Sequence, residues 1–322
     1  MGSKNSLSKG NKWLLTAAAA TLSVIAVDRL GLASSYVMFI LMVGLCNVVL
    51  TVSLNLITGV TGQFSLGHAG FMAVGAYLSA YLSKMVFGLS SSGSGPASSL
   101  LFFACLLCGA ALAAGVAFLL GGIILRLTGD YLCIATLGFN QIVVVALNNL
   151  EIVGGSRGFY GIPKLSTLTG LLILTWFAVI VISRYVNSVK GRNCEAILGD
   201  ETAAESLGVD SFKVKLHSFV TGCFFAALAG GMLIHLLQLA HPTQYTFIKS
   251  IEILLMVVVG GMGNVAGSVI SGMVLTILPE ALRFSQDLRL VLYPLILIIF
   301  ISRDPSRYFY KFFPARTAGG GK

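Results

Sequence analysis

Apolar residues run along this chain in blocks too long for a soluble helix or strand. They fall at 13–27, 36–58, 68–87, 99–125, 131–150, 168–185, 216–240, 250–262, 265–279 and 288–302. From Tyr36 to Gly59 no residue carries a formal charge. A helix needs about twenty apolar residues to cross a bilayer core. The pattern therefore predicts an all-α, polytopic transmembrane helix bundle of about 8–10 membrane elements. The runs at 250–262 and 265–279 are short, which predicts tilted, broken or re-entrant helices there.

Two uncharged polar seams interrupt the pattern. TGQFSLGHAGF (61–71) separates the second run from the third, and VGGMGNVAGSVISG (259–272) separates the eighth from the ninth. In each, an amide (Gln63, Asn264) directly follows a glycine. Gly59 and Gly62 are expected to end the second span and Ser65 to cap the third. A helix broken inside a membrane exposes backbone groups that only protein or a polar cavity can satisfy. Transporters use such breaks to bind polar solutes near the midplane. Gly62, Gln63, Ser65, Gly67, His68, Gly263 and Asn264 are thus candidates for a translocation path suited to a neutral or zwitterionic solute. Ser65 and His68, three residues apart, also suggest a hydrolytic dyad. The adjoining spans offer neither an acidic partner nor a GxSxG-like elbow, so catalysis is the weaker reading.

Composition sharpens the class. Of 322 residues 56% are hydrophobic and 10% charged, against about a quarter charged in soluble domains. The net charge of +9 reads as basic residues at span ends rather than a nucleic-acid surface. With the N-terminus inside, Lys and Arg on inner segments outnumber those on outer segments two to one. Both termini are therefore expected on the cytoplasmic side. The division is a tail at 1–12, a permease-like membrane domain at 13–302 and a tail at 303–322. Within the domain, 186–215 is a cytoplasmic loop. SSSGSGPASS (90–99) and VGGSRGFYGIP (153–163) read as outer loops.

Six cysteines lie mostly in apolar runs, and the Cys105–Cys108 CxxC has no nearby His or second pair. They read as small core residues, and no metal or bound cofactor is expected. No GxxxxGK[ST] occurs, so any ATP and Mg²⁺ would sit on partner subunits. No chain of buried Asp, Glu and His suggests a proton-driven carrier. Glu252, three residues after Lys249, is expected to pair with it. Small residues line one face of three spans: Ala69, Ala73, Ala76 and Ala80; Gly222, Ala226 and Gly230; Gly263, Gly267 and Ser271. They fit close packing within the bundle or against a second membrane subunit.

The cytoplasmic loop predicts a short helix at 195–207, with Ala196, Ala203 and Leu207 on one stripe. Glu195, Asp200, Glu201 and Glu205 surround it, and Gly208 stops it. Such a helix is either a solvated connection or a docking element for a soluble partner.

Several segments, in order, resemble the membrane permeases of high-affinity branched-chain amino-acid ABC importers of the LivM type. They are NLITGVTGQFSLGHAGFMAVGAY (55–77), GDYLCIATLGF (129–139), GGSRGFYGIP (154–163), AILGDETAAESLGV (196–209) and SIEILLMVVVGGMGNVAGSVISG (250–272). The resemblance covers roughly residues 36–305. It implies a bacterial inner-membrane subunit working with a homologous second permease, two ATP-binding subunits and a periplasmic substrate-binding protein. It also implies that the cytoplasmic loop is a coupling helix seated on an ATPase. The wider importer pattern of Glu-Ala-Ala, three residues, then Gly is met by Ala203, Ala204 and Gly208. Thr202 stands in the Glu position, with Glu201 one place early. Similar permeases move urea or short-chain amides, and an ion-coupled secondary carrier is the alternative from another class.

Overall fold

The computed structural model describes residues 34–88, 96–127 and 129–281. The runs at 13–27 and 288–302, and both tails, lie outside the described residues. Eight of the ten predicted runs are seen as helices. These are α1 (Ser35–Asn55), α2 (His68–Tyr81), α3 (Pro96–Ile124), α4 (Asp130–Asn149), α5 (Leu168–Val186), α8 (Ser211–Leu237), α9 (Phe247–Gly260) and α10 (Val265–Ala281). Between α5 and α8 lie two short helices, α6 (Val189–Gly199) and α7 (Glu201–Ser206). Among the described residues, 6 stretches are long and apolar enough to cross a membrane, and α10 is a shorter apolar helix. The chain is a multi-pass membrane protein with an all-α architecture.

Helix ends follow local chemistry. The hydroxyl of Thr167 accepts from Gly170 N–H at the start of α5, and that of Ser188 does so from Gly191 N–H at the start of α6. These side-chain caps meet amides that have no partner within the first turn. Helix α3 begins at Pro96, so residues 96–99 are helical where sequence reading assigns them to a loop. Proline suits the first helical position because its missing N–H would be unpaired there anyway. Helices α1 and α2 each continue through a π-helical turn, Leu56–Val60 and Leu82–Val86. Such turns often mark functional regions.

Helix α8 is the hub. It is buried along most of its length, as expected of a helix that is hydrophobic all round. Close helix contact is achieved by omitting side chains. A Cβ on Gly75 would lie 2.4 Å from the Ala227 carbonyl oxygen, and one on Gly230 would lie 2.2 Å from that of Met72. A Cβ on Gly267 would lie 1.8 Å from the Gly260 oxygen. Of the small-residue faces, Gly230 lets α8 approach α2, Gly222 lets it approach the end of α1 and the turn after it, and Gly267 lets α10 approach α9. Apolar side chains left exposed, such as Leu119 and Ile123 on α3 or Ile134 and Ile142 on α4, face outward from the bundle.

The two ends of the bundle differ. At one end Phe159–Tyr160 (β1) pairs antiparallel with Leu239–Ala240 (β2), Phe159 opposite Ala240. The Lys84 ammonium donates to the Tyr160 carbonyl and lies 4.7 Å from the Phe159 ring centroid. The segment read as an outer loop at 153–163 is thus a tied platform, not a free connection. A two-residue ribbon is too short to show strand periodicity in sequence. At the other end lie the 61–67 junction, α6, α7 and the turn at 261–264.

Candidate functional site: a broken helix tied to the 186–215 loop

The segment 61–67 is more than a turn. After the π-helical turn, Gly62 takes φ +75°, a left-handed value that glycine adopts at little cost. The chain then runs without helix or strand to His68. Ser53 stands seven residues from the end of the Leu56–Val60 turn, and Thr136 six residues into α4. At 1.5 Å per residue, both lie about 10 Å inside the bundle. Helix α2 starts at their level.

Its first amides are met by hydroxyls from other helices. Leu66 N–H donates to Thr136 Oγ of α4 at 3.0 Å, and Ala69 N–H to Ser250 Oγ of α9 at 3.0 Å. Ser65 does not cap α2 as the sequence suggests. Gly67 occupies the N-cap position, and Ser65 Oγ accepts only a long 3.4 Å bond from Gly67 N–H. The reason is geometric: the chain climbs past Ser65 in extended form, so its hydroxyl cannot turn back onto the second or third helical amide.

The catalytic dyad is not assembled. His68 Nε2 lies 2.9 Å from Ser53 Oγ, not beside Ser65. The Ser53 hydroxyl donates its proton to the Leu50 carbonyl at 2.9 Å. The ring nitrogen must therefore donate to Ser53, the reverse of what a general base needs. Among the described residues His68 Nδ1 has no partner.

Asn140 of α4 completes the surroundings of this first turn. It is 0% exposed, and among the described residues neither its Oδ1 nor its Nδ2 has a partner. A buried amide left so costs about 1–3 kcal/mol. Gly70 gives it room: a Cβ there would lie 3.0 Å from Asn140 Oδ1. Phe71, Phe139 and Phe219 form an apolar wall beside it, with centroids 4.6 Å apart for the first pair and 5.5 Å for Phe71–Phe219.

The second seam has a different role. Asn264 Oδ1 accepts from Gly267 N–H at 3.1 Å, so Asn264 caps α10. Gly263, at φ +81°, donates its N–H to Asn55 Oδ1 at 2.8 Å. The two breaks thus meet, through Asn55, although Gly263 and Asn264 are not among the groups around the start of α2.

The 186–215 loop corrects one expectation. The predicted helix at 195–207 is two helices broken at Asp200, whose carboxylate accepts from Ala203 N–H at 3.0 Å and caps α7. An aspartate with a free amide three residues ahead starts a helix more readily than it continues one. Ala196, Ala203 and Leu207 do not form the packed face. They are exposed, Leu207 85% so, while Cys194, Ile197 and Ala204 are buried. Gly208 does stop the helix. At φ +85° it donates to Glu205 O while Val209 N–H donates to Ala204 O, a glycine-terminated Schellman closure. Glu195 and Glu205 are exposed. Glu201 is paired with Lys215 at 2.5 Å.

This loop and the junction touch. Gln63 Nε2 donates to the Lys215 carbonyl at 3.0 Å, and a Cβ on Gly62 would lie 2.7 Å from Leu198 Cδ1. Lys215 therefore holds Glu201 with its side chain and Gln63 with its backbone. Sequence reasoning missed Ser53, Thr136, Asn140, Lys215 and Ser250. Each lies in or beside an apolar run, and no local pattern distinguishes it.

A helix that begins inside a membrane bundle, with amides at its start met by neighbouring hydroxyls, is a construction that membrane transport proteins use. Comparison with known sequences agrees, and the chain belongs to the family described as branched-chain amino acid transport system / permease component, matched over residues 14–301. It is 33% identical over 293 residues to the high-affinity branched-chain amino acid transport system permease protein LivM of Escherichia coli K12. That alignment covers 80% of this chain and 66% of the relative's length. It is 29% identical over 143 residues to LivH of Salmonella typhimurium, covering 44% of this chain and 46% of the relative. No solved structure matches. The family is one of permease components, so the chain is not itself an enzyme.

Proposed function

We propose that this chain is a permease subunit of an ABC importer for branched-chain or similar neutral amino acids. It forms the translocation path with a homologous second permease. Two partner ATPases, which bind ATP and Mg²⁺, drive it, and a periplasmic binding protein delivers the solute. It sits in the bacterial inner membrane with both termini cytoplasmic.

The observation that carries this reading is the contact between the α6–α7 loop and the 61–67 junction. A loop held to the start of a broken helix by Gln63, Lys215, Glu201 and Leu198 suits transmission of force from a soluble ATPase into the membrane. The exposed face of Ala203, Leu207 and Gly208 is where such an ATPase would dock, with Glu195, Asp200 and Glu205 at its margin. Glu201 and Ala204 hold the loop to the bundle. The junction residues Gly62, Gln63, Ser65, Gly67 and His68 border the path. Gly263 and Asn264 brace it from the second seam. The branched-chain amino acid transport systems to which the LivM and LivH relatives belong support the substrate class.

ATP binding would shift the permease pair between inward-facing and outward-facing states. The test is uptake of labelled L-leucine and urea into proteoliposomes, with and without the ATPases. The reading expects uptake of leucine that needs ATP, both permeases and the binding protein. Ion-driven uptake by this chain alone would overturn it, and uptake of urea alone would move it to the amide permeases.

A further inference from the structure

The first turn of α2 is surrounded by buried polar groups without a single charge among them. Thr136 and Ser250 hydroxyls face its amides. Asn140, wholly buried, lies against Gly70 with one donor and one acceptor unmatched within the described residues. The tally is a helix N-terminus, an amide N–H donor and an amide carbonyl acceptor. Phe71, Phe139 and Phe219 stand beside them.

A zwitterion matches this set. A carboxylate is favoured at a helix N-terminus by the partial positive charge and free amides there. An ammonium group needs an acceptor. Net neutrality of the solute head fits the absence of charged side chains. We propose that the start of α2 holds the head group of the transported amino acid. Its carboxylate meets the helix terminus and Asn140 Nδ2, its ammonium meets Asn140 Oδ1, and its apolar side chain lies on the phenylalanine wall. This rests on the transport reading above and names the residues of its site.

The seam between α2 and α4 is suited to open. A Cβ on Gly67 would lie 2.7 Å from the Thr136 carbonyl oxygen, and one on Gly70 would lie 3.2 Å from Asn140 Cα. Backbone comes close to backbone there, and the Phe71–Phe139 contact is the ring packing that must slide when the seam parts. The Thr136 and Ser250 hydroxyls hold the amides while the seam is closed and yield them to the carboxylate when it parts.

The test uses the assembled importer in nanodiscs and photo-leucine, a diazirine analogue of leucine, at millimolar concentration. The site takes the label within residues 66–77 or 133–145. L-leucine competes, whereas L-leucinamide, lacking the carboxylate, and 4-methylvalerate, lacking the ammonium, each compete at least about tenfold more weakly. Asn140→Leu cuts the labelling about tenfold while the importer still assembles with its ATPases, and Asn140→Gln restores part of it. Labelling confined to other segments, equal competition by L-leucinamide, or undiminished labelling in Asn140→Leu overturns the site. If the wild-type importer takes up L-leucine with ATP yet is labelled elsewhere, only this site falls. If it takes up none, the transport reading falls with it.

Discussion

Gly263 donates its backbone N–H to the side-chain oxygen of Asn55, 208 residues away, at 2.8 Å. This bond pins the α9–α10 turn to the last residue of α1, at the edge of the first break. Gly59 makes it possible, since a Cβ there would lie 2.0 Å from Asn55 Oδ1 and 2.3 Å from Gly263 N. Gly59→Ala is expected to cost about 1–3 kcal/mol through overpacking. Asn55→Ala is expected to cost less, about 0.6–2 kcal/mol, the range for hydrogen bonds between membrane helices. Thermal unfolding in detergent ranks the two.

Glycines along the bundle should divide by what they touch. A Cβ on Gly75 would meet Ala227 on α8, whereas one on Gly115 of α3 would meet nothing within 4 Å. Gly75→Ala should lower stability by about 1–3 kcal/mol, while Gly115→Ala should raise it by about 0.5–1 kcal/mol through helix propensity alone. Opposite shifts in melting temperature are the expected outcome, and equal shifts would deny that α2 and α8 meet backbone to backbone.

Asp210 starts α8. Its carboxylate lies 2.9 Å from Lys213 Nζ and accepts from Lys213 N–H at 3.0 Å. The Lys213 side chain, then its backbone N–H, hold the carboxyl below the usual carboxylate range. A carboxyl depressed by folding contributes stability above its unfolded value of about 3.9, and the contribution is lost as pH falls through the lower folded value. Protection factors for the first turn of α8, corrected for intrinsic exchange, should therefore be higher at pH 6 than at about pH 3. Asp210→Asn should flatten that difference.

The exposed tip of the loop gives a separate test of docking. Ala203→Arg and Gly208→Arg should leave the bundle inserted while reducing ATP-coupled transport by about tenfold or more. Gly208→Arg also forces a left-handed φ on a branched cation, so Ala203→Arg is the cleaner variant. Normal coupled transport in Ala203→Arg would remove this face from the mechanism.

Much of this was legible in the chain. The apolar runs gave the helices because twenty apolar residues leave few alternatives, and the glycines at 62, 208 and 263 marked turns that do take positive φ. The Lys249–Glu252 pair is present at 3.1 Å. The partners of the broken helix were not legible. Thr136 and Asn140 sit in α4 and Ser250 in α9, and only tertiary packing brings them to one turn. The break at Asp200 did carry a signal, an aspartate three residues before the amide it caps, which the continuous alanine pattern concealed.

The transport reading rests on the 186–215 loop and the broken helix acting as one connected unit. Gln63 is the polar link between them, its amide bonded to the Lys215 carbonyl at the foot of α8. The most direct measurement is solute imported per ATP hydrolysed by the reconstituted importer carrying Gln63→Leu. The account predicts that ATP hydrolysis stays within about twofold of wild type while import per ATP falls about fivefold or more, as for a broken buried hydrogen bond at a moving contact. Import per ATP equal to wild type would contradict it.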